Sequence, residues 1–226
     1  MAGQALGIQL NPRGRWHRGL GWILLVLIFF LAQQELCYPI VLWLSHVAPG
    51  SLRLLGGMPA FPLVECVLVL LLVFWSPNAF GLKLGNHRKV WWIYVACGVC
   101  YAAFLLFGRD LLPYPGACCH RMPSAYLLAP FREELLFRGF MYGVLVEMYP
   151  SSEASRKWIS KPVLFTAILF GLWHLAAITF WGWSWGLGYV GYTFFAGLVM
   201  GYARRRSGSI LGPFFMHAVG NYITGL

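Results

Sequence analysis

Seven mainly apolar stretches, each followed by a short polar or glycine-rich connection, run through the chain. They cover about residues 21–44, 58–75, 90–107, 125–149, 162–180, 185–203 and 210 to the C-terminus. A bilayer-spanning helix needs about 20 apolar residues. All seven reach that length once tilt and local thinning of the bilayer are allowed. The pattern predicts an all-α fold, a polytopic membrane bundle of about seven transmembrane helices. The fourth stretch is less apolar than the rest and carries the run FREELLFRGF.

Composition supports this reading. Hydrophobic residues make up 59% of the 226 positions and charged residues 11%. A soluble domain runs nearer 45–50% apolar and about 25% charged, and so little charge could not cover its surface. A disordered chain would hold far less apolar material. The first stretch follows a basic leader, residues 1–20, with Arg13, Arg15 and Arg18. After its first apolar run come Gln33, Gln34 and Glu35, with no small-x-small cleavage pattern, so a retained span, bent at Pro39, is expected.

The net charge of +10 follows the connections. Lys83, Arg88 and Lys89, then Arg156, Lys157 and Lys161, then Arg204, Arg205 and Arg206 mark alternate connections. The intervening ones hold Arg53, then Arg109 and Arg121, then no basic residue. This alternation predicts a cytoplasmic N-terminus and a C-terminus on the far side. It explains the charge without nucleic acid, which is not expected as a partner. Tryptophans at the stretch ends, such as Trp91, Trp92, Trp181, Trp183 and Trp185, read as an interfacial belt. Four of the six cysteines lie in apolar runs and read as small hydrophobes. Cys118 and Cys119 adjoin His120, but three contiguous residues cannot close a structural metal site. Gly182/Gly186 and Gly197/Gly201 have the GxxxG spacing of close helix packing, a weak signal among 26 glycines. No phosphate loop, GxGxxG, GxSxG or HExxH motif is present.

Ionisable groups at membrane depth are the sharper signal. Glu35 and Glu65 sit in the first two stretches and read as interhelical hydrogen-bonding groups. Glu133 and Glu134 are adjacent in the fourth. On a helix Glu134 and Arg138 share a face, while Glu133 points about 100° away. One carboxylate can then be held by the guanidinium while the other faces a cavity. The fifth stretch adds His174, with Phe170 one turn earlier. The seventh adds His217, with Asn221 one turn later. Each is unremarkable alone as a packing or interhelical contact. Counted from the stretch ends at about 1.5 Å per residue, they reach similar depth. A carboxylate and an imidazole can activate water; a second imidazole and a carboxamide can donate to an oxyanion.

EELLFR, FGLWH and HAVGN match EExxxR, FxxxH and HxxxN in that order. In this the chain resembles the CPBP family, also called the Abi or type II CAAX prenyl endopeptidase family, whose members are glutamate-type intramembrane proteases. The resemblance covers roughly residues 125–226, a catalytic helical core behind the leader and the three helices of residues 21–124. It implies Glu133 as the catalytic carboxylate, working with His174 on water, and His217 and Asn221 as the oxyanion site. It implies that Glu134 and Arg138 support these groups and that Phe170 shapes the pocket beside His174.

The resemblance also implies that no cofactor is needed. Two Glu and two His could ligate zinc, but a carboxylate beside Arg and His suits a metal-free base. The expected partners are the lipid bilayer and a protein or peptide with a membrane-associated C-terminal segment. The expected location is multi-pass in a bacterial cell membrane. Because the charge pattern puts Glu133 and His174 nearer the non-cytoplasmic face, a membrane segment or C-terminal anchor of an exported protein is favoured over a cytosolic prenylated tail. The competing readings are a proton-coupled transporter, a non-catalytic scaffold or immunity protein of this fold, and a metalloprotease using the same residues.

Overall fold

The computed structural model describes residues 81–103, 127–154 and 157–224, with Gly21, Leu24 and Leu106 besides. The basic leader, all but two residues of the first stretch, the second stretch, Glu35, Glu65, Asp110, Arg156, and the connection with Arg109, Arg121, Cys118 and Cys119 lie outside the described residues. The described residues are helical and include no strand.

A 3-10 turn at His87–Lys89 leads into α1 (Trp91–Ala103). The fourth stretch is one helical run without a break. It begins as α2 (Ala129–Glu134), widens to a π-helix over Leu135–Met141, and returns to α-helix as α3 (Tyr142–Met148). Pro130 sits in the first turn of α2, where its missing N–H has no cost. Pro150 opens the short α4 (Pro150–Ala154). The fifth stretch is α5 (Lys161–Trp173), which tightens into a 3-10 turn at His174–Ala176. α6 (Ala177–Ser207) crosses a single kink at Gly182, whose φ of 77° a side chain would disfavour. The gap expected between the fifth and sixth stretches is therefore one residue of reversed backbone, with helix on both sides. α7 (Leu211–Thr224) is the last stretch.

α5 and α6 pack most closely, over small residues. A side chain at Gly201 would meet Val163, and one at Gly171 would meet Phe194. α7 turns Gly212 and Gly220 toward Tyr94 and Tyr101 of α1, so phenols fill the space that larger residues would occupy. Tyr101 also donates to the Met216 carbonyl at 3.3 Å. The core centres on Leu135, Leu136, Phe137, Met141, Phe170 and Ile210. Burying side chains of this size contributes roughly 1.5–3 kcal/mol each.

The second, fourth and sixth connections, all basic, meet at one end of the bundle. The Asn86 N–H donates to the Ser207 carbonyl at 2.7 Å, and Arg205 donates to the Lys157 carbonyl. Arg204 departs from its expected place as a loop charge: it is buried, because α6 runs on to Ser207 before the chain turns.

Among the described residues no helix is long and apolar enough to cross a membrane. The reasons are local. α5 is 13 residues long. α6 is long, but its first half is rich in Gly, Trp and Tyr and it ends on three arginines. The run from α2 to α3 carries Arg132, Glu133, Glu134, Arg138 and Glu147.

Candidate active site

The site forms where the α2–π-helix run, the end of α5 and the middle of α7 face one another. Glu134 and Arg138, four residues apart, are fully buried and pair at 2.9 Å through Oε1 and Nη1. The same Glu134 Oε1 lies 2.9 Å from His217 Nδ1. A carboxylate oxygen there accepts, so His217 Nδ1 carries the proton and its Nε2 is turned outward. Nε2 lies 3.9 Å from Glu133 Oε2.

His174 reaches the same atom from the other side. Where α5 tightens, the His174 backbone N–H turns to the Gly171 and Leu172 carbonyls. That leaves the Phe170 carbonyl, its ordinary α-helical acceptor, to take a bond from His174 Nδ1 at 2.7 Å. The carbonyl can only accept, so this Nδ1 is also protonated and Nε2 points away from it. His174 Nε2 lies 3.9 Å from Glu133 Oε2. Two imidazoles, each fixed through Nδ1 by an unrelated acceptor, thus present Nε2 to one carboxylate oxygen. A separation of 3.9 Å is too long for a direct hydrogen bond and suits groups that act on a third species between them. Glu133 Oε2 is buried and has no hydrogen-bond partner among the described residues, while Oε1 accepts from Arg132 at 3.3 Å.

Phe170 is the wedge that sets these groups apart. Its ring meets His174 edge-on at 4.8 Å between centroids and His217 at 5.7 Å. The Arg138 guanidinium carbon lies 4.1 Å from the centre of the same ring, a cation–π arrangement in a desolvated setting. On its other side Arg138 borders Gly197, where any side chain would press on Nη2 and on Ala167. Gly197 therefore makes room for the guanidinium.

His174, His217, Phe170 and Asn221 line a cavity of about 220 Å³. Glu133 lies beyond the imidazoles. The far wall includes Tyr101 of α1 and Tyr192 of α6. Tyr189 stands edge-on to His174 at 5.3 Å.

The seven residues singled out from sequence are thus brought together across three helical stretches. Three contributors were not expected. Arg132 holds the second oxygen of Glu133. Tyr189 flanks His174. Gly197 was legible only as half of a GxxxG pair. The donor set is two carboxylates, each paired with a guanidinium, and two imidazoles and a carboxamide that line the cavity beside them. Among the described residues no group of three His, Cys, Asp or Glu side chains is arranged to hold a metal ion.

No curated protein and no solved structure matches the chain. Residues 115–223 match one family, described as type II CAAX prenyl endopeptidase Rce1-like. That stretch holds Glu133, Glu134, Arg138, Phe170, His174, His217 and Asn221, and over it the chain is similar to the Rce1-like family of CAAX-type proteases.

Proposed function

We propose that the chain is a glutamate-type intramembrane endopeptidase that hydrolyses a peptide bond in a membrane-associated C-terminal tail or anchor. The observation that carries this reading is the placement of Glu133 Oε2 at 3.9 Å from Nε2 of both His174 and His217, beside a cavity that also reaches Asn221.

In this mechanism a water between the three groups gives one proton to Glu133 as its oxygen attacks the scissile carbonyl; His174 Nε2 orients it. The tetrahedral oxyanion is held by the Asn221 carboxamide and by Nε2–H of His217 in its imidazolium form. Glu134 balances that imidazolium through Nδ1, as the carboxylate of a catalytic triad does. Collapse breaks the C–N bond, and the proton taken by Glu133 passes to the leaving amine. Arg138 offsets the charge of Glu134. The residues act without a cofactor.

Membrane placement is part of the proposal. Large apolar side chains outside the cavity are exposed on four helices, including Val99, Leu172, Leu187, Phe215 and Val219, which suits lipid contact. The basic connections gather at one end, as a cytoplasmic face requires. Glu133, one turn into α2, would then open nearer the opposite face, and the substrate would be the anchor of an exported protein. A cysteine replacing Leu112 should react only with reagent added from outside the cytoplasm. Labelling only from within would reverse the orientation and favour a cytosolic tail.

The direct test reconstitutes the purified protein in lipid vesicles with peptides carrying an apolar C-terminal anchor. Wild type should release a defined fragment, and Glu133→Gln should not. Equal cleavage by both would reject Glu133 as the base.

A further inference from the structure

We propose that Arg204 is a positioning residue that holds the π-helical stretch, and with it Arg138 and Glu134, in the place that aims His217 at Glu133. The idea rests on the hydrolase reading above. In an α-helix the Arg138 carbonyl would accept from the Tyr142 N–H. Here that N–H turns instead to the carbonyls of Phe137 and Gly139. The Arg138 carbonyl accepts from Arg204 Nε at 3.0 Å, across 66 residues of sequence. A side chain from another helix thus enters the backbone ladder where it has widened, a known cause of local helix distortion.

Arg204 is itself tightly placed. It is 5% exposed, and its guanidinium carbon lies 5.1 Å from the Tyr142 ring centre. Above it runs the backbone of Gly81, where a Cβ would stand 2.5 Å from that carbon. Gly81 has φ of 80° and its carbonyl accepts from the Ile210 N–H at 3.1 Å, at the entry to α7. One residue therefore touches the π-helical stretch, α6 and the connection that closes on α7. These are the elements whose relative placement sets the Glu134–His217 bond. Arg204 does not touch the cavity, so it acts through Arg138.

Two glycines of the same connection provide a matched test. Gly81 and Gly85 both have positive φ, so Ala strains the backbone at either. Only at Gly81 would the new methyl displace Arg204; at Gly85 it meets Ser207 and Ser209. Arg204→Met, Gly81→Ala, Gly85→Ala and wild type would be compared in lipid vesicles by peptide cleavage. The histidines would be followed separately by ¹⁵N NMR of labelled protein.

Arg204→Met and Gly81→Ala should lower kcat about tenfold or more with KM within twofold. In both, the His217 Nδ1 resonance should lose the signature of its hydrogen bond to Glu134. Gly85→Ala should match wild type in both readouts. Equal losses in Gly81→Ala and Gly85→Ala, or an unchanged His217 signal in Arg204→Met, would overturn the proposal. If no variant cleaves peptide, wild type included, the hydrolase reading fails, and the NMR comparison still decides whether Arg204 positions His217.

Discussion

Replacing Glu134 by Gln isolates the charge that organises the site. Glu134 and Arg138 are both fully buried and pair at 2.9 Å, and the guanidinium Nε and Nη2 have no hydrogen-bond partner among the described residues. Removing one partner of a buried pair costs roughly 3–5 kcal/mol, because a desolvated charge is left uncompensated. Gln keeps an oxygen that can still accept from Arg138, and the Phe170 ring still faces the cation, so the lower end applies, about 3 kcal/mol. For a chain of this length that corresponds to a fall in Tm of about 6–12 °C, measured by tryptophan fluorescence in detergent. Activity should fall further than stability, since a neutral amide no longer balances a protonated His217.

The double variant Glu134→Leu, Arg138→Met separates the two effects. Replacing a buried pair by apolar residues of similar volume is often neutral or stabilising, so its Tm should return to within a few degrees of wild type. Its peptidase activity should stay lost, because His217 Nδ1 has no acceptor. A Glu134→Gln variant that loses less than about 1 kcal/mol, or a double variant with wild-type turnover, would refute this account of the pair.

Three further outcomes are expected. Gly197→Ala should reduce turnover while other α5–α6 contacts persist, since its methyl crowds Arg138 Nη2; an equal effect from Gly201→Ala, which crowds only Val163, would point to general packing loss. His174→Gln and His217→Gln should each cost about 10²–10³ in kcat with the protein still folded, read from single-turnover cleavage. Phenanthroline and EDTA should leave cleavage unchanged; loss on chelation and recovery with zinc would transfer the mechanism to a metal.

What the sequence revealed and what it hid differ by range. Glu134–Arg138, Phe170–His174 and His217–Asn221 are each one helical turn apart, so spacing alone shows that each pair shares a face. The contacts that make them a site are distant in sequence. Glu134 meets His217 across 83 residues, and no local pattern announces that the support of one motif is the orienting partner of another. Arg204 shows the same limit. Three arginines after an apolar stretch read naturally as interfacial charge, and only the course of α6 past Arg204, with the turn at Gly208, buries the first of them. Gly197 was visible as spacing, but what its missing side chain makes room for is Ala167 of α5 and, beside it, a guanidinium from another helix. The π-helical widening at Leu135–Met141 also has no signature in FREELLFRGF, because it is sustained by the distant Arg204.

The central claim is that Glu133 drives hydrolysis of a membrane-associated peptide. It is tested most directly by comparing protein C-termini in the membrane and secreted fractions of cells carrying wild type or Glu133→Ala at equal abundance. The account predicts a defined set of proteins that keep an uncleaved C-terminal or membrane segment only in the variant. Identical C-termini in both, with the two proteins equally abundant, would contradict it.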